Sequence, residues 1–198
     1  MVKILGLSGS PRAGGNTDVL LNQFLKGAEA EGAQTEKIYL RDYVIQPCIG
    51  CERCRKDKTC TRLFDGMQLL YPKVEEAQGL ILGSPAHNLN VTAWVKAFID
   101  RLYPYYNFTD DRPRKYSSRL AGQGRKAIVY GVCEQNSHEE GMGFTLSAMR
   151  EPLRFLGYEV IKEFSVAGIF DRGAVREDKE ILKAAFEDGR RLAQAIGK

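Results

Sequence analysis

Four cysteines fall within thirteen positions, in the run CIGCERCRKDKTC, spaced Cys48-x2-Cys51-x2-Cys54-x5-Cys60. Thiolates so placed can bind a soft metal or exchange disulfides. Three ligands at x2 intervals can wrap one corner of a small inorganic cube, and a fourth arrives after a short turn. Three other readings stay open on spacing alone. Zinc could take four thiolates, although structural zinc usually takes two separated cysteine pairs. The thiols could form a redox-switching disulfide, or belong to a loop that binds nothing. Arg53, Arg55, Lys56 and Lys58 flank the thiols. They would offset thiolate charge and could receive an acidic protein, or could simply be solvated. Cys133, the fifth cysteine, reads as a small buried apolar residue rather than a ligand.

A second stretch with chemical content is Ser8-Gly-Ser-Pro-Arg-Ala-Gly-Gly-Asn-Thr17. It is rich in hydroxyls and glycines and leads from an apolar run into a helical pattern. Free backbone N–H groups and the positive end of a helix make such a place an anion site. Ser8, Ser10 and Thr17 can donate hydroxyl hydrogen bonds. Neither GxxxxGK[ST] nor GxGxxG is present, and the missing lysine argues against nucleoside triphosphate hydrolysis. A phosphomonoester held mainly by neutral donors is the reading preferred over a bare turn with an Asn-Thr cap. No acid–base triad is recognisable, because His87 and His138 have no evident partners.

These loops need elements to hold them. Lys3–Leu7, Glu36–Leu40, Gly79–Gly83, Lys126–Tyr130 and Val160–Val166 read as five short buried strands. Between them lie amphipathic patterns. One carries Leu21, Phe24, Leu25 and Ala28, with Asn16 or Thr17 placed to cap it. Others run near Phe64–Ala77, through Val95, Phe98, Ile99 and Leu102, and near Gly143–Leu156. The last should end at Gly157, with Pro152 kinking or shortening it. Leu182, Ala185, Phe186 and Leu192 mark a closing helix. Continuous apolar strands alternating with helices argue for an α/β fold, a five-stranded parallel sheet covered on both faces. The expected architecture is flavodoxin-like and doubly wound, with strand order 2-1-3-4-5 and ligands beyond the carboxyl ends of the strands. The 198 residues suit a single domain over 1–198, with a cysteine-rich loop at 47–62 and an excursion at about 103–124. That excursion could pack against a partner subunit or remain a surface loop.

The net charge of +4 is mild and interspersed, so no nucleic-acid or membrane partner is implied. MVKILGLSGS turns polar too soon for a signal peptide, and no apolar run is long enough to span a bilayer. The expected location is cytoplasmic, where thiols stay reduced and clustered cysteines favour a metal or redox centre.

The run GLSGSPRAGGNT resembles the phosphate loop of the NADPH-dependent FMN reductase family. The run from Gly83 to Arg101, GSPAHNLNVTAWVKAFIDR, resembles that family's second flavin loop and the helix after it. With the cysteines between them, the chain is similar to the family's iron–sulfur flavoprotein branch. The resemblance implies FMN, with the phosphate on Ser8, Ser10, Arg12, Asn16 and Thr17 and with Pro11 also among the cofactor-binding residues. Pro85, Ala86, His87 and Asn88 would then border the flavin ring, His87 as a stacking or hydrogen-bonding residue rather than a proton donor, with Ser84 also among the cofactor-binding residues. A third loop, with Val132, Cys133 and Glu134, lies where relatives carry a more glycine-rich segment. The resemblance further implies a [4Fe–4S] cluster on Cys48, Cys51, Cys54 and Cys60. It implies an oxidoreductase taking electrons from ferredoxin or NAD(P)H, assembled as a homodimer or homotetramer. The alternatives are a cluster-free NAD(P)H-dependent FMN or quinone reductase and a non-enzymatic electron carrier.

Overall fold

The computed structural model describes residues 1–197. Five strands form one parallel sheet: β1 (Lys3–Ser8), β2 (Gln34–Tyr39), β3 (Gly79–Pro85), β6 (Lys126–Val132) and β7 (Glu159–Val166). Their order is β2-β1-β3-β6-β7, which is the expected 2-1-3-4-5 once the small hairpin strands β4 (Tyr106–Phe108) and β5 (Tyr116–Ser118) are set aside. β1 pairs in parallel with both β2 and β3, so its carboxyl end lies at the centre of the ligand-binding edge.

Apolar residues on the two sheet faces enter two separate cores. Helices α1 (Asn16–Ala30) and α7 (Lys179–Ile196) cover one face, through residues such as Leu20, Phe24, Ala185 and Leu192. Helices α3 (Met67–Glu76), α4 (Ala93–Asp100) and α6 (Thr145–Phe155) cover the other, through Leu70, Phe98 and Met149. Two short helices, α2 (Cys54–Asp57) and α5 (His138–Gly141), lie on the strand-end loops. α1 and α7 cross almost backbone to backbone. A Cβ at Gly189 would stand 1.9 Å from the Phe24 carbonyl oxygen, so any larger residue must push the helices apart.

Several expectations shift in detail. β2 starts and ends earlier than expected, and Leu40 opens a one-turn helix over Leu40–Asp42. α1 is entered from Gly15 in extended conformation with no side-chain cap, so Asn16 and Thr17 are its first residues. The Asn16 side chain is used elsewhere: it donates to the Asp171 carbonyl and accepts from the Val175 N–H. The helix expected from Phe64 begins at Met67, because the Asp65 carboxylate accepts the Met67 N–H there, and Phe64 is exposed.

Pro152 sits inside α6 and does not end it. One lost backbone hydrogen bond is outweighed by the apolar face of Leu146, Met149 and Leu153. α6 closes at Gly157 as expected. The Tyr158 N–H reaches the Leu153 carbonyl and the Gly157 N–H reaches that of Arg154, with Gly157 left-handed at φ 99°.

The excursion is ordered by contacts within itself and with its neighbours in the fold. A one-turn helix (Tyr103–Tyr105) leads into the antiparallel β4–β5 hairpin. Tyr103 stacks on Phe108 at 4.8 Å between ring centres, and Tyr116 meets Phe155 of α6 edge-on.

Candidate functional site

The loops after β1, β3, β6 and β7 converge on a cavity of about 530 Å³ at the carboxyl edge of the sheet. That size suits a mononucleotide-sized ligand. Ser10, Pro11, Arg12, Asn16 and Thr17 line it from the first loop, and Pro85, Ala86, His87 and Asn88 from the second. Val132, Cys133 and Glu134 line it from the third. Ser8 and Ser84 do not line it. Both are buried behind it: the Ser8 hydroxyl donates to Asp18 at 2.6 Å, and the Ser84 hydroxyl accepts the Thr92 N–H and donates to the Pro85 carbonyl.

What holds the first loop is a buried ion pair that sequence reading passes over. Asp18 lies in the first turn of α1 and is 2% exposed. Its carboxylate accepts from the Ser8 hydroxyl and from the Gly14 N–H at 2.8 Å. It also pairs with Arg41 at 2.9 Å, and Arg41 donates onward to the Ser10 carbonyl. The positive helix end therefore keeps its N–H groups toward the cavity, while the carboxylate beneath the loop is neutralised from β2's side.

The second loop is a tight turn in which His87 and Asn90 exchange backbone hydrogen bonds of 2.8 and 3.1 Å. Asn88 and Leu89 between them are both left-handed, at φ 49° and 60°. Asparagine tolerates this, but leucine in that region costs about 1–2 kcal/mol. The turn survives because the Leu89 carbonyl accepts the Phe144 N–H at 2.7 Å. Strain held in place by its surroundings is a feature of ligand-binding loops.

The third loop closes under α5. A Cβ at Gly141 would meet Cys133 Sγ at 2.8 Å, so only glycine lets the helix lie this close. Cys133 is buried as expected, and burial pushes its thiol up from the ordinary cysteine value. Gln135, at the end of the third loop, also lines the cavity, as do Leu89, Glu140, Ile169 and Phe170, which were not anticipated. Phe170, half exposed and under the Arg12 guanidinium at 5.2 Å from the ring centre, comes from the loop after β7. The rule that ligands gather at strand carboxyl ends was the available signal, since it applies to β7 as well.

A second cavity, of about 190 Å³, is lined by Cys48, Cys51, Cys54 and Cys60 together with Arg101 and Tyr103. Cys48 and Cys51 are exposed, Cys54 and Cys60 half-buried, and none is in a disulfide. The Cys54 thiol is pushed up to about 11, first by burial and then by the charges of Cys60, Cys48 and Cys51. The four thiols are thus electrostatic neighbours. Among the described residues no three His, Cys, Asp or Glu side chains gather around one metal-ion position. Four cysteines ringing one cavity are a donor set that could hold a soft metal ion or an iron–sulfur cluster.

The cysteine loop is anchored at both ends by one ion pair. Arg101, at the end of α4, donates to Asp65 at 2.7 Å, to the Gln46 carbonyl before the cysteines and to the Leu63 carbonyl after them. Asp65 also accepts the Gln46 N–H. Burial works to raise the Asp65 carboxyl, but the Arg101 guanidinium and the N–H groups of Gln46 and Met67 outweigh it. They hold that carboxyl below the usual carboxylate range. Gln68 adds bonds to the Cys60 and Leu63 carbonyls. The excursion buttresses the loop's outer side: Arg114 grips both Glu52 oxygens at 3.1 Å, and Lys58 reaches Asn107 at 2.6 Å.

No helix among the described residues is long and apolar enough to cross a membrane. The family model of the NADPH-dependent FMN reductases matches residues 2–131. The chain is 41% identical over 138 residues to an iron-sulfur flavoprotein of Methanocaldococcus jannaschii, a match covering 70% of this chain and 66% of that protein, just short of two thirds. It is 34% identical over 195 residues to an iron-sulfur flavoprotein of Methanosarcina thermophila, covering 98% of this chain and 95% of that one. Among solved structures, a flavone reductase superposes with a TM-score of 0.72 at 18% identity, over 100% of this chain and 64% of its own, a likeness of fold. With the sheet order, the cysteine spacing and the matched first two loops, these likenesses place the chain in the NADPH-dependent FMN reductase family, on its iron–sulfur flavoprotein branch.

Proposed function

We propose that this chain is an FMN-dependent oxidoreductase that also carries a [4Fe–4S] cluster, passing electrons from ferredoxin or NAD(P)H through both centres to an acceptor. The observation that carries the reading is the pair of cavities. One is a phosphate-type loop cavity at the strand carboxyl ends, and the other is ringed by all four clustered cysteines. The flavin supplies exchange of electrons singly or in pairs, and the cluster single-electron transfer.

The chain's own work is binding and orientation. The first N–H groups of α1, with the Ser10 and Thr17 hydroxyls, would hold the phosphate, and Pro11, Arg12 and Asn16 would wall it. Pro85, Ala86, His87, Asn88, Val132, Cys133 and Glu134 would border the ring. Ser8 and Ser84 would act from behind by fixing the loops. Cys48, Cys51, Cys54 and Cys60 would be the cluster ligands. A homodimer or homotetramer belongs to this reading, and the exposed Leu89, Phe144 and Phe170 near the cavity support it.

Replacing Ser10 with alanine and Thr17 with valine together is expected to weaken FMN binding by about tenfold for each hydroxyl lost, since a hydrogen bond to a charged group is worth about 1.5–3 kcal/mol. Flavin-quench titration measures it, and unchanged affinity would remove the phosphate assignment. Rapid mixing under argon tests the donor. If NADPH bleaches the bound flavin within a catalytic turnover time, the chain is a nicotinamide-dependent reductase; bleaching only by reduced ferredoxin makes ferredoxin the donor.

A further inference from the structure

Three of the four buried side-chain nitrogen or oxygen atoms that lack a hydrogen-bond partner among the described residues are arginine Nε atoms near the cysteine loop, on Arg55, Arg101 and Arg114. Only Arg101 of these lines the cysteine cavity. Its side chain is 2% exposed. Both terminal nitrogens are occupied: Nη1 by Asp65 and the Gln46 carbonyl, Nη2 by Asp65 and the Leu63 carbonyl. The Nε–H is left with nothing to donate to. Leaving a buried donor unmade costs about 1–3 kcal/mol, more on a charged group. Arg53 and Arg62 also line the cavity, but they belong to exposed residues that solvent satisfies.

The cavity that Arg101 lines is ringed by the sulfurs of Cys48, Cys51, Cys54 and Cys60, with Glu52 and Thr61 also in its wall. Arg101 and Gln68 bond the same Leu63 carbonyl, and Gln68 also bonds the Cys60 carbonyl, which places Arg101 beside the fourth cysteine. The planar fork on Asp65 fixes the guanidinium, so the Nε–H direction is set before any ligand arrives. We propose that the Arg101 Nε–H donates a hydrogen bond to sulfur in the group held by the four cysteines, making Arg101 a positioning and potential-tuning residue. This rests on the cluster reading above. A donor and a positive charge at sulfur stabilise the more negative, reduced state, so Arg101 raises the midpoint potential of that centre.

The test uses anaerobically purified full-length protein and an EPR-monitored redox titration of wild type, Arg101→Lys and Gln68→Ala. Lysine keeps the charge at Asp65 and lacks the Nε–H; Gln68→Ala loosens the same loop without touching Arg101. The expected result is a midpoint shifted negative in Arg101→Lys and unshifted in Gln68→Ala. Equal midpoints in all three, or the same shift in both variants, overturn the assignment. Should Arg101→Lys not retain iron, pulsed EPR on the reduced wild-type protein labelled with 15N-arginine decides. An arginine nitrogen coupling that persists when Arg53 and Arg62 are replaced by lysine is expected, and its absence overturns the proposal. Wild-type protein that holds no iron at all overturns the cluster reading itself, a failure distinct from unchanged midpoints in a cluster-loaded protein.

Discussion

Replacing Asp65 with asparagine is expected to destabilise the protein by about 3–5 kcal/mol, because it strands the Arg101 charge in the interior. Asp65 and Arg101 are 3% and 2% exposed at their side chains, so neither solvent nor salt can take the partner's place. The loss is a large share of the roughly 5–15 kcal/mol that holds a domain folded. It should fall hardest on the cysteine loop, whose two ends Arg101 joins. Urea unfolding measures the total; a loss under about 1 kcal/mol would mean that the pair is not the loop's anchor. The pH dependence follows from the depressed Asp65 carboxyl. Its contribution is complete above the unfolded value near pH 4 and disappears as pH falls through the lower folded value. Wild-type stability should therefore drop below about pH 4 more steeply than that of Asp65→Asn, which has no carboxyl to protonate. Parallel pH profiles would contradict the assignment.

The second large effect is expected at Arg41. Arg41→Ala leaves the Asp18 carboxylate buried beneath the first loop with no counter-charge. Stability should fall by about 3 kcal/mol, and FMN binding should weaken by more than tenfold. At an effective dielectric of 20, a bare carboxylate even 10 Å from a phosphate charge is unfavourable by about 1.7 kcal/mol. Loss of the Arg41 bond to the Ser10 carbonyl works in the same direction. The double variant Arg41→Ala, Asp18→Asn removes the stray charge and should recover most of the affinity. Flavin binding that is unchanged in the single variant, or not recovered in the double one, would show that the pair does not govern the loop.

The parts legible in the sequence are those written in local pattern. β1, β3 and β6 are continuous apolar runs, and each is almost wholly buried. Parallel order follows from strands alternating with helices, and the positions of the first three binding loops follow from the order. Gly157 ended α6 because a left-handed residue was needed there and glycine was present. What escaped depends on contacts far apart in the chain. Asp18 and Arg41 are separated by 23 positions and Asp65 and Arg101 by 36. Charged residues read one at a time look solvated, yet both pairs are interior anchors for the candidate sites.

The same limit explains the excursion. Its aromatic and basic runs gave two readings, and only the fold shows Arg114 and Lys58 joining it to the cysteine loop. Pro152 was given too much weight, since a helix whose apolar face is packed tolerates one lost bond. Phe170 went unnoticed because its loop carries no motif, only a position at the end of β7.

The central claim is that one chain holds a flavin and an iron–sulfur cluster together. Cofactor extraction from anaerobically purified protein, with iron, acid-labile sulfide and flavin assayed on the same sample, addresses it most directly. FMN accompanied by iron and acid-labile sulfide in equal amounts is the expected result, with both metal and sulfide lost when Cys54 and Cys60 are replaced by serine. FMN without iron, or iron or zinc without sulfide, would contradict it.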